Sequence, residues 1–302
     1  MLITRTQFDM LAFLDREKTA LSGNNKLTHG NIARLAGMSA GSVNKTLLFL
    51  SENGLTEGNN LTEAGYAALE PYRVKRAVFI AAGFGSRLIP ITLNTPKPLV
   101  RVKGVRIIDT LLDAVSAAGI EEIIIVRGYF SEQFDQLKYK YPKIQFLENP
   151  LYNESNNISS MMCARFFLQN AYVLESDLLL KNPSLISKYQ YSSNYLGVPV
   201  ERSDDWCFET RSNIITKIRV GGQNCHHMFG ISFWNASDGA KLADHIKQVY
   251  EMPGGKERYW DVVPLEYFIK EYNVAVRECS FDDIIEIDTF NELKALDENY
   301  RL

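Results

Sequence analysis

The sequence predicts a three-layer α/β domain with a mixed, mostly parallel sheet, preceded by a small helix-turn-helix unit carrying a two-strand wing. Three observations carry that expectation. From Val74 onward, short apolar runs alternate with helical stretches, the pattern of a sheet covered on both faces. Before Val74 the chain reads differently, setting two helical stretches around a turn at Gly37. The first apolar run, Ala77-Val78-Phe79-Ile80, feeds a glycine-bearing loop, as a buried parallel strand does. The expected division is 1–74 and 75–302.

Composition sets the bounds. With 302 residues, one large domain or two smaller ones both fit. Hydrophobic content of 46% and charged content of 23% are those of an ordinary soluble globular protein. A net charge of −3 argues against a surface coated for nucleic acid. Cys163, Cys207, Cys225 and Cys279 are scattered, with no C-x-x-C pair. With no signal peptide in view, they point to free thiols in a reducing cytoplasm. No apolar run approaches the roughly 18 residues of a membrane span, so no membrane partner is expected.

In the first unit, Thr6 to Asp15 reads as an amphipathic helix with Phe8, Leu11 and Leu14 on one side. Thr28 to Met38 gives a short helix and a turn holding Gly37, and Ser39 caps a longer helix from Ala40 to Glu52. Asn53-Gly54 stops it, Gly58-Asn59-Asn60 makes the tight turn of a wing over Leu55 to Leu61, and a last helix opens after Thr62. The segment resembles the winged helix-turn-helix domains of bacterial regulators. DNA is a weakly supported partner. Arg5, Arg16, Lys18, Lys26, Arg34, Lys45, Arg73 and Lys75 stand against Asp9, Asp15, Glu17, Glu52, Glu57, Glu63 and Glu70, so the unit is nearly neutral. Phosphate neutralisation supplies most affinity for DNA, so packing, dimerisation or sensing suits it better.

In the second unit, strands are expected at Arg76–Ala82, Glu122–Arg127, Lys143–Leu147, Ala171–Glu175, Tyr195–Pro199, Ile214–Val220, Gly230–Trp234 and Val274–Glu278. Helices are expected at Val105–Ala118, Ser131–Lys140 and Asn157–Leu168.

The loop after the first strand organises the chain. In Ala82-Gly83-Phe84-Gly85-Ser86-Arg87, two glycines let the backbone approach an anion, and Arg87 adds a charge suited to polyphosphate. Lys97 follows between Pro96 and Pro98, which stiffen the chain around it. A lone G-x-G is as compatible with a plain turn. The run is not a Walker loop, since no Gly-Lys-Ser/Thr follows, nor a dinucleotide fingerprint, since Leu88 holds the third glycine position. Such a cradle needs a divalent metal on oxygen ligands. Asp177 lies just past the carboxyl end of an apolar strand, where open α/β sheets place ligands. Glu286 and Asp288 are two apart in an extended segment and face the same way. Taken alone these are equally surface carboxylates, or, for Asp288, a cap for the helix from Thr289.

The whole pattern, G-x-G-S-R-L with T-P-K-P-L downstream, resembles the nucleotidyltransferases that make nucleoside-diphosphate sugars and alcohols. Gly128 to Phe134, Tyr152 to Ser160, Ser232-Phe233-Trp234 and Arg258-Tyr259-Trp260-Asp261 look like the bacterial CTP:phosphocholine cytidylyltransferases. The resemblance covers about 75–302 and leaves the winged helix outside.

It implies a nucleotidyltransferase fold, CTP and phosphocholine as substrates, and Mg²⁺ on Asp177 and Asp288 with Glu286 beside. It implies triphosphate binding by Ala82 to Arg87, with Arg87, Lys97 and Asp177 catalytic. Asn157 and Ser160 fall in the loop expected to read cytosine, although Asn156 and Asn157 equally suit a turn. Choline's quaternary ammonium donates no hydrogen bond, so aromatic faces with nearby carboxylates suit it. Asp205, Trp206, Tyr259, Trp260 and Asp261 are the candidates, although both Trp residues equally suit packing. Phosphoethanolamine, 2-aminoethylphosphonate or a sugar 1-phosphate are the alternative acceptors. A nucleotide-sensing regulator is the alternative of another class. His226 and His227, adjacent in a strand, point to opposite faces and are not expected to share a metal.

Overall fold

The computed structural model describes residues 3–20 and 28–301; the parts of the expected domains at 1–2, 21–27 and 302 lie outside the described residues. The chain separates into two compact units, Met1–Arg73 and Val74–Leu302.

The first unit holds α1 (Arg5–Ala20), α2 (His29–Ala36), α3 (Ala40–Glu52), β1 (Thr56–Glu57), β2 (Asn60–Leu61) and α4 (Glu63–Leu69). Its helix starts follow capping chemistry. Thr28, Ser39 and Thr62 each accept a backbone N–H from three residues on. Gly37, left-handed at φ 64°, closes α2 and turns the chain into α3. β1 and β2 pair antiparallel around the turn at Gly58 and Asn59.

The second unit opens with β3 (Arg76–Ala81), β4 (Arg101–Val102), β5 (Val105–Arg106), α5 (Ile107–Ala117), β6 (Glu122–Arg127) and β7 (Ile144–Glu148). It continues with α6 (Ile158–Ala164), β8 (Ala171–Glu175), β9 (Leu178–Leu180), β10 (Asn194–Arg211) and β11 (Ile214–Trp234). α7 (Ala236–Glu251), β12 (Ala275–Glu278), β13 (Ile284–Glu286) and α8 (Phe290–Leu296) complete it. The central sheet runs β10-β12-β11-β8-β3-β6-β7. β8, β3, β6 and β7 are parallel, as are β10 and β12, and β11 runs antiparallel to β8.

Alternation along β3 divides the interior into two layers. Ala77, Phe79 and Ala81 pack with Ile108, Leu111, Leu112 and Val115 of α5. Val78 and Ile80 pack on the other face with α6 and with Leu242, Ile246 and Val249 of α7.

Several expectations change. β10 and β11 form one long hairpin instead of three short strands, turning at Ser212 and Asn213, both at positive φ. A register shift between Ser203 and Trp206 interrupts the pairing. Val105 and Arg106 leave the expected helix to pair with Arg101 and Val102. Ser131–Tyr139 winds as tight three-residue turns.

Candidate active site

The carboxyl ends of β3 and β8 open onto a cleft of about 660 Å³, lined by residues of the glycine loop, Lys97, Asn156, Asn157, the end of β8, the β10 bulge, the Tyr259–Val262 segment and Glu286 to Asp288. The loop's shape depends on Gly85. Its φ of 62° is left-handed, and a Cβ there would lie 2.8 Å from Lys97 Cβ and 3.2 Å from Thr92 Cγ2. Thr92 Oγ1 donates to Gly85 O at 2.9 Å, and Tyr129 donates to Thr92 O. At Gly83 a Cβ would meet nothing, so that face of the loop is open.

Lys97 Nζ donates to Asp177 Oδ2 at 2.8 Å and to Asp288 Oδ1 at 2.9 Å. Arg87 Nη2 reaches the same Asp288 oxygen at 2.8 Å while its side chain stays 67% exposed. These partners meet because of short local devices. Ser176 Oγ ties the end of β8 to Ile80 O, which fixes the start of the turn to Asp177. β13 pairs with β9, setting Glu286 opposite Leu178, and Ile287 N–H donates to Asp177 O. The cap of α8 is Thr289 in a capping box with Glu292, not Asp288, so the Asp288 carboxylate is left to face Lys97 and Arg87.

Carboxylate oxygens of Glu175, Asp177 and Glu286 lie within 4.8 Å of one another, whereas Asp288, expected as a metal ligand with Asp177, stands outside this group, bonded to Lys97 and Arg87. Asp177 Oδ1 is buried with no hydrogen-bond partner among the described residues. Burial, and then the charges of Asp177, Asp261 and Glu286, push Glu175 well above the usual carboxylate range. Burial, with Asp177 and Asp288, pushes Glu286 up to about 8. Burial works against the Lys97 charge, but Asp177 and Asp288 outweigh it and raise the ammonium's pKa. An unpartnered oxygen among crowded hard-oxygen ligands fits a divalent cation.

Glu175 was missed in the sequence because it reads as the last residue of a buried strand. The signal was its two-residue spacing from Asp177, the same spacing that marked Glu286 and Asp288. Gly230 on β11 makes room for it, since a Cβ there would lie 2.5 Å from Glu175 Oε2.

At the other end of the cleft, Trp206 and Tyr259 meet edge to face with centroids 5.7 Å apart. Asp205 and Asp261 line the same wall. Asp261 is buried and accepts the Tyr195 hydroxyl proton at 2.5 Å; burial raises its pKa to about 6 against that bond.

Two expected site residues, Trp260 and Ser160, sit elsewhere. Trp260 is 2% exposed and packs against Tyr195 and Trp234, a core position with its ring out of the cleft lining. Ser160 is buried behind the wall, where its Oγ accepts from Asn149. Ala82 opens the loop beside Gly83 with its side chain buried. His226 faces Glu278 and His227 faces Ser203, so they do share no ligand position.

A glycine loop, a paired lysine and a carboxylate cluster at the strand ends of this sheet define a nucleotidyltransferase. Residues 76–194 match the Nucleotidyl transferase family. The chain is 34% identical over 228 residues to the 2-aminoethylphosphonate cytidylyltransferase of Lancefieldella rimae, covering 74% of this chain and 92% of that protein. It is 33% identical over 226 residues to the choline-phosphate cytidylyltransferase of Streptococcus pneumoniae, covering 74% and 97%. The solved CTP:phosphocholine cytidylyltransferase from Streptococcus pneumoniae matches with a TM-score of 0.69 at 33% identity, covering 75% of this chain and 99% of that one. The protein belongs to the nucleotidyl transferase family, alongside bacterial cytidylyltransferases.

Proposed function

We propose that the protein transfers CMP from CTP to phosphocholine, giving CDP-choline and pyrophosphate. A phosphate oxygen of the acceptor attacks the α-phosphorus in line, its new P–O bond forming as the bond to the β-phosphate bridge breaks. No covalent enzyme intermediate is needed; the protein contributes position and charge neutralisation. Backbone N–H groups of Gly83 to Ser86 and the Arg87 guanidinium would hold the triphosphate. Lys97 would turn from Asp177 and Asp288 toward the α-phosphate and the incoming phosphate as negative charge builds. Glu175, Asp177 and Glu286 would hold Mg²⁺, which when bound neutralises the triphosphate and polarises the α-phosphate.

The observation that carries the acceptor is the Trp206–Tyr259 corner beside Asp205 and Asp261. Rings with nearby carboxylates suit a cation that donates no hydrogen bond. The second reading is 2-aminoethylphosphonate or phosphoethanolamine. The Asp205 and Asp261 carboxylates favour it as acceptors for a primary ammonium, and a relative named for 2-aminoethylphosphonate supports it. A sugar 1-phosphate is a poorer match to an aromatic corner.

The deciding measurement is kcat/KM for phosphocholine, phosphoethanolamine and 2-aminoethylphosphonate, in wild type, Trp206→Ala and Tyr259→Ala. Loss of an aromatic face worth about 1–2 kcal/mol costs roughly five- to thirty-fold with phosphocholine. Equal rates for all three acceptors, or truncations that slow none, overturn the choline assignment. Pyrophosphate release from CTP on adding acceptor separates this enzyme from a nucleotide-sensing regulator.

The first unit's capped helices and β1–β2 turn support reading it as a winged helix-turn-helix. Its near-neutral charge favours packing, dimerisation or sensing over DNA binding. Among the described residues no helix is long and apolar enough to cross a membrane. The free cysteines fit a cytoplasmic setting.

A further inference from the structure

The segment after α7 carries Tyr259 into the cleft wall without belonging to a helix or strand. Met252 to Tyr259 is exposed apart from Gly255. Four hydrogen bonds tie it to one short turn, Ser155 to Asn157, packed directly against it. Ser155 Oγ donates to Lys256 O at 2.7 Å, and Asn156 N–H donates to the same oxygen at 2.8 Å. Asn156 Nδ2 donates to Glu257 O at 3.2 Å, and Trp260 N–H donates to Asn157 Oδ1 at 2.9 Å. The bonds therefore grip the backbone on both sides of Tyr259. Asn157 Nδ2 also lies 3.5 Å from Glu175 Oε1, at the acidic end of the cleft.

Each amide thus already commits one N–H and its oxygen to neighbouring groups. Asn156 Oδ1 accepts from Asn157 N–H, and Asn157 uses both ends of its side chain. Turning either amide fully toward a base edge would break these bonds.

We propose that Ser155, Asn156 and Asn157 form a clasp that holds the 256–260 segment, with Asn157 a positioning residue for the acceptor wall. The proposal rests on the cytidylyltransferase reading for its kinetic arm only. Bound on both flanks, Tyr259 keeps its edge-to-face contact with Trp206 without ordering at the moment the acceptor enters. Released, the same segment would have to be ordered by the acceptor itself, which weakens acceptor binding and leaves CTP binding alone.

The test uses the full chain with Asn157→Ala, Asn156→Ala and Asn157→Asp. Lys256 and Arg258 are exposed, so limited trypsin digestion reports opening of the segment directly. Both alanine variants should be cut after these residues about fivefold faster or more. Asn157→Asp keeps an oxygen for the Trp260 N–H and should recover most of the resistance. With phosphocholine and 2-aminoethylphosphonate as probes, Asn157→Ala should raise the acceptor KM about tenfold and leave the CTP KM within about threefold. Unchanged tryptic cleavage overturns the clasp. So does a raised CTP KM with relaxed choice between CTP and UTP at unchanged acceptor KM, which marks base reading. Wild type that turns over neither acceptor refutes the functional reading instead, and the cleavage arm still decides the clasp. If Asn157→Ala does not fold, Asn156→Ala carries both arms.

Discussion

Replacing Lys97 by Met tests the electrostatic logic of the cleft before any substrate is added. The ammonium is 9% exposed and bonded to two carboxylates, Asp177 at 2.8 Å and Asp288 at 2.9 Å. Its removal leaves Asp177, Asp288, Glu175 and Glu286 facing one another, with the exposed Arg87 as their remaining bonded cation. Breaking a fully buried pair from one side costs about 3–5 kcal/mol. Here the two aspartates keep 23% and 17% exposure, and the crowded acids can take up protons, which lowers the expectation to about 2–3 kcal/mol. At roughly 2–4 °C per kcal/mol for a unit of this size, the transition should fall by about 4–12 °C. The measurements are thermal and urea unfolding without divalent cation, repeated with Asp288→Asn and the double variant. Loss of Lys97 should cost less when Asp288 is already neutral, giving a coupling of about 1 kcal/mol or more. Lys97→Arg should not restore activity, because a planar fork cannot reproduce the point contact of one ammonium with Asp177 Oδ2 and Asp288 Oδ1. A stability change within about 0.5 kcal/mol, or no coupling, refutes the claim that Lys97 holds these acids together.

Three further outcomes follow from the acidic cluster. Asp177→Asn and Asp288→Asn should each keep the fold and lose about 10²-fold or more in kcat. Glu175→Gln should also raise the Mg²⁺ concentration needed for half-maximal rate, whereas an unchanged Mg²⁺ curve removes Glu175 from the cation site. Glu286, raised to about 8, binds its proton in the folded state where the unfolded chain has released it. The folded state therefore carries more protons between about 4.5 and 8, and its stability falls as pH rises across that window, by at most about 1.4 kcal/mol per pH unit. Thermal melts without divalent cation should show that decline, and Glu286→Gln should make it shallower, with Glu175 still contributing in the same direction; a melt curve flat in both proteins contradicts the shift.

What could be read from the sequence depended on whether the cause was local. β6, β8 and α3 were legible to the residue, because continuous apolar runs and caps such as Ser39 act within a few positions. The β10–β11 hairpin was not. Its register shift at Ser203 to Trp206 and the left-handed Gly221 and Asn224 erase the alternation that marks a strand. Ser131–Tyr139 has a helical composition but forms tight turns, which no local rule anticipates.

The site divides along the same line. Gly85, Arg87 and Lys97 could be placed because a glycine loop and a proline-flanked lysine state their chemistry locally. The acids could not be sorted that way, since each role is set by a partner far along the chain. Glu175 is admitted because Gly230 lacks a side chain, and Asp288 is released to Lys97 because Thr289 takes the cap. Trp260 and Tyr259 adjoin in sequence yet part in function, one 2% exposed in the core and the other 46% exposed at the cleft. Only the packing against Tyr195 and Trp234 decides which ring turns inward. The Asn156–Asn157 pair makes the same point, because a pair of amides suits a base edge and a backbone clasp equally until the 256–260 segment is seen lying against it.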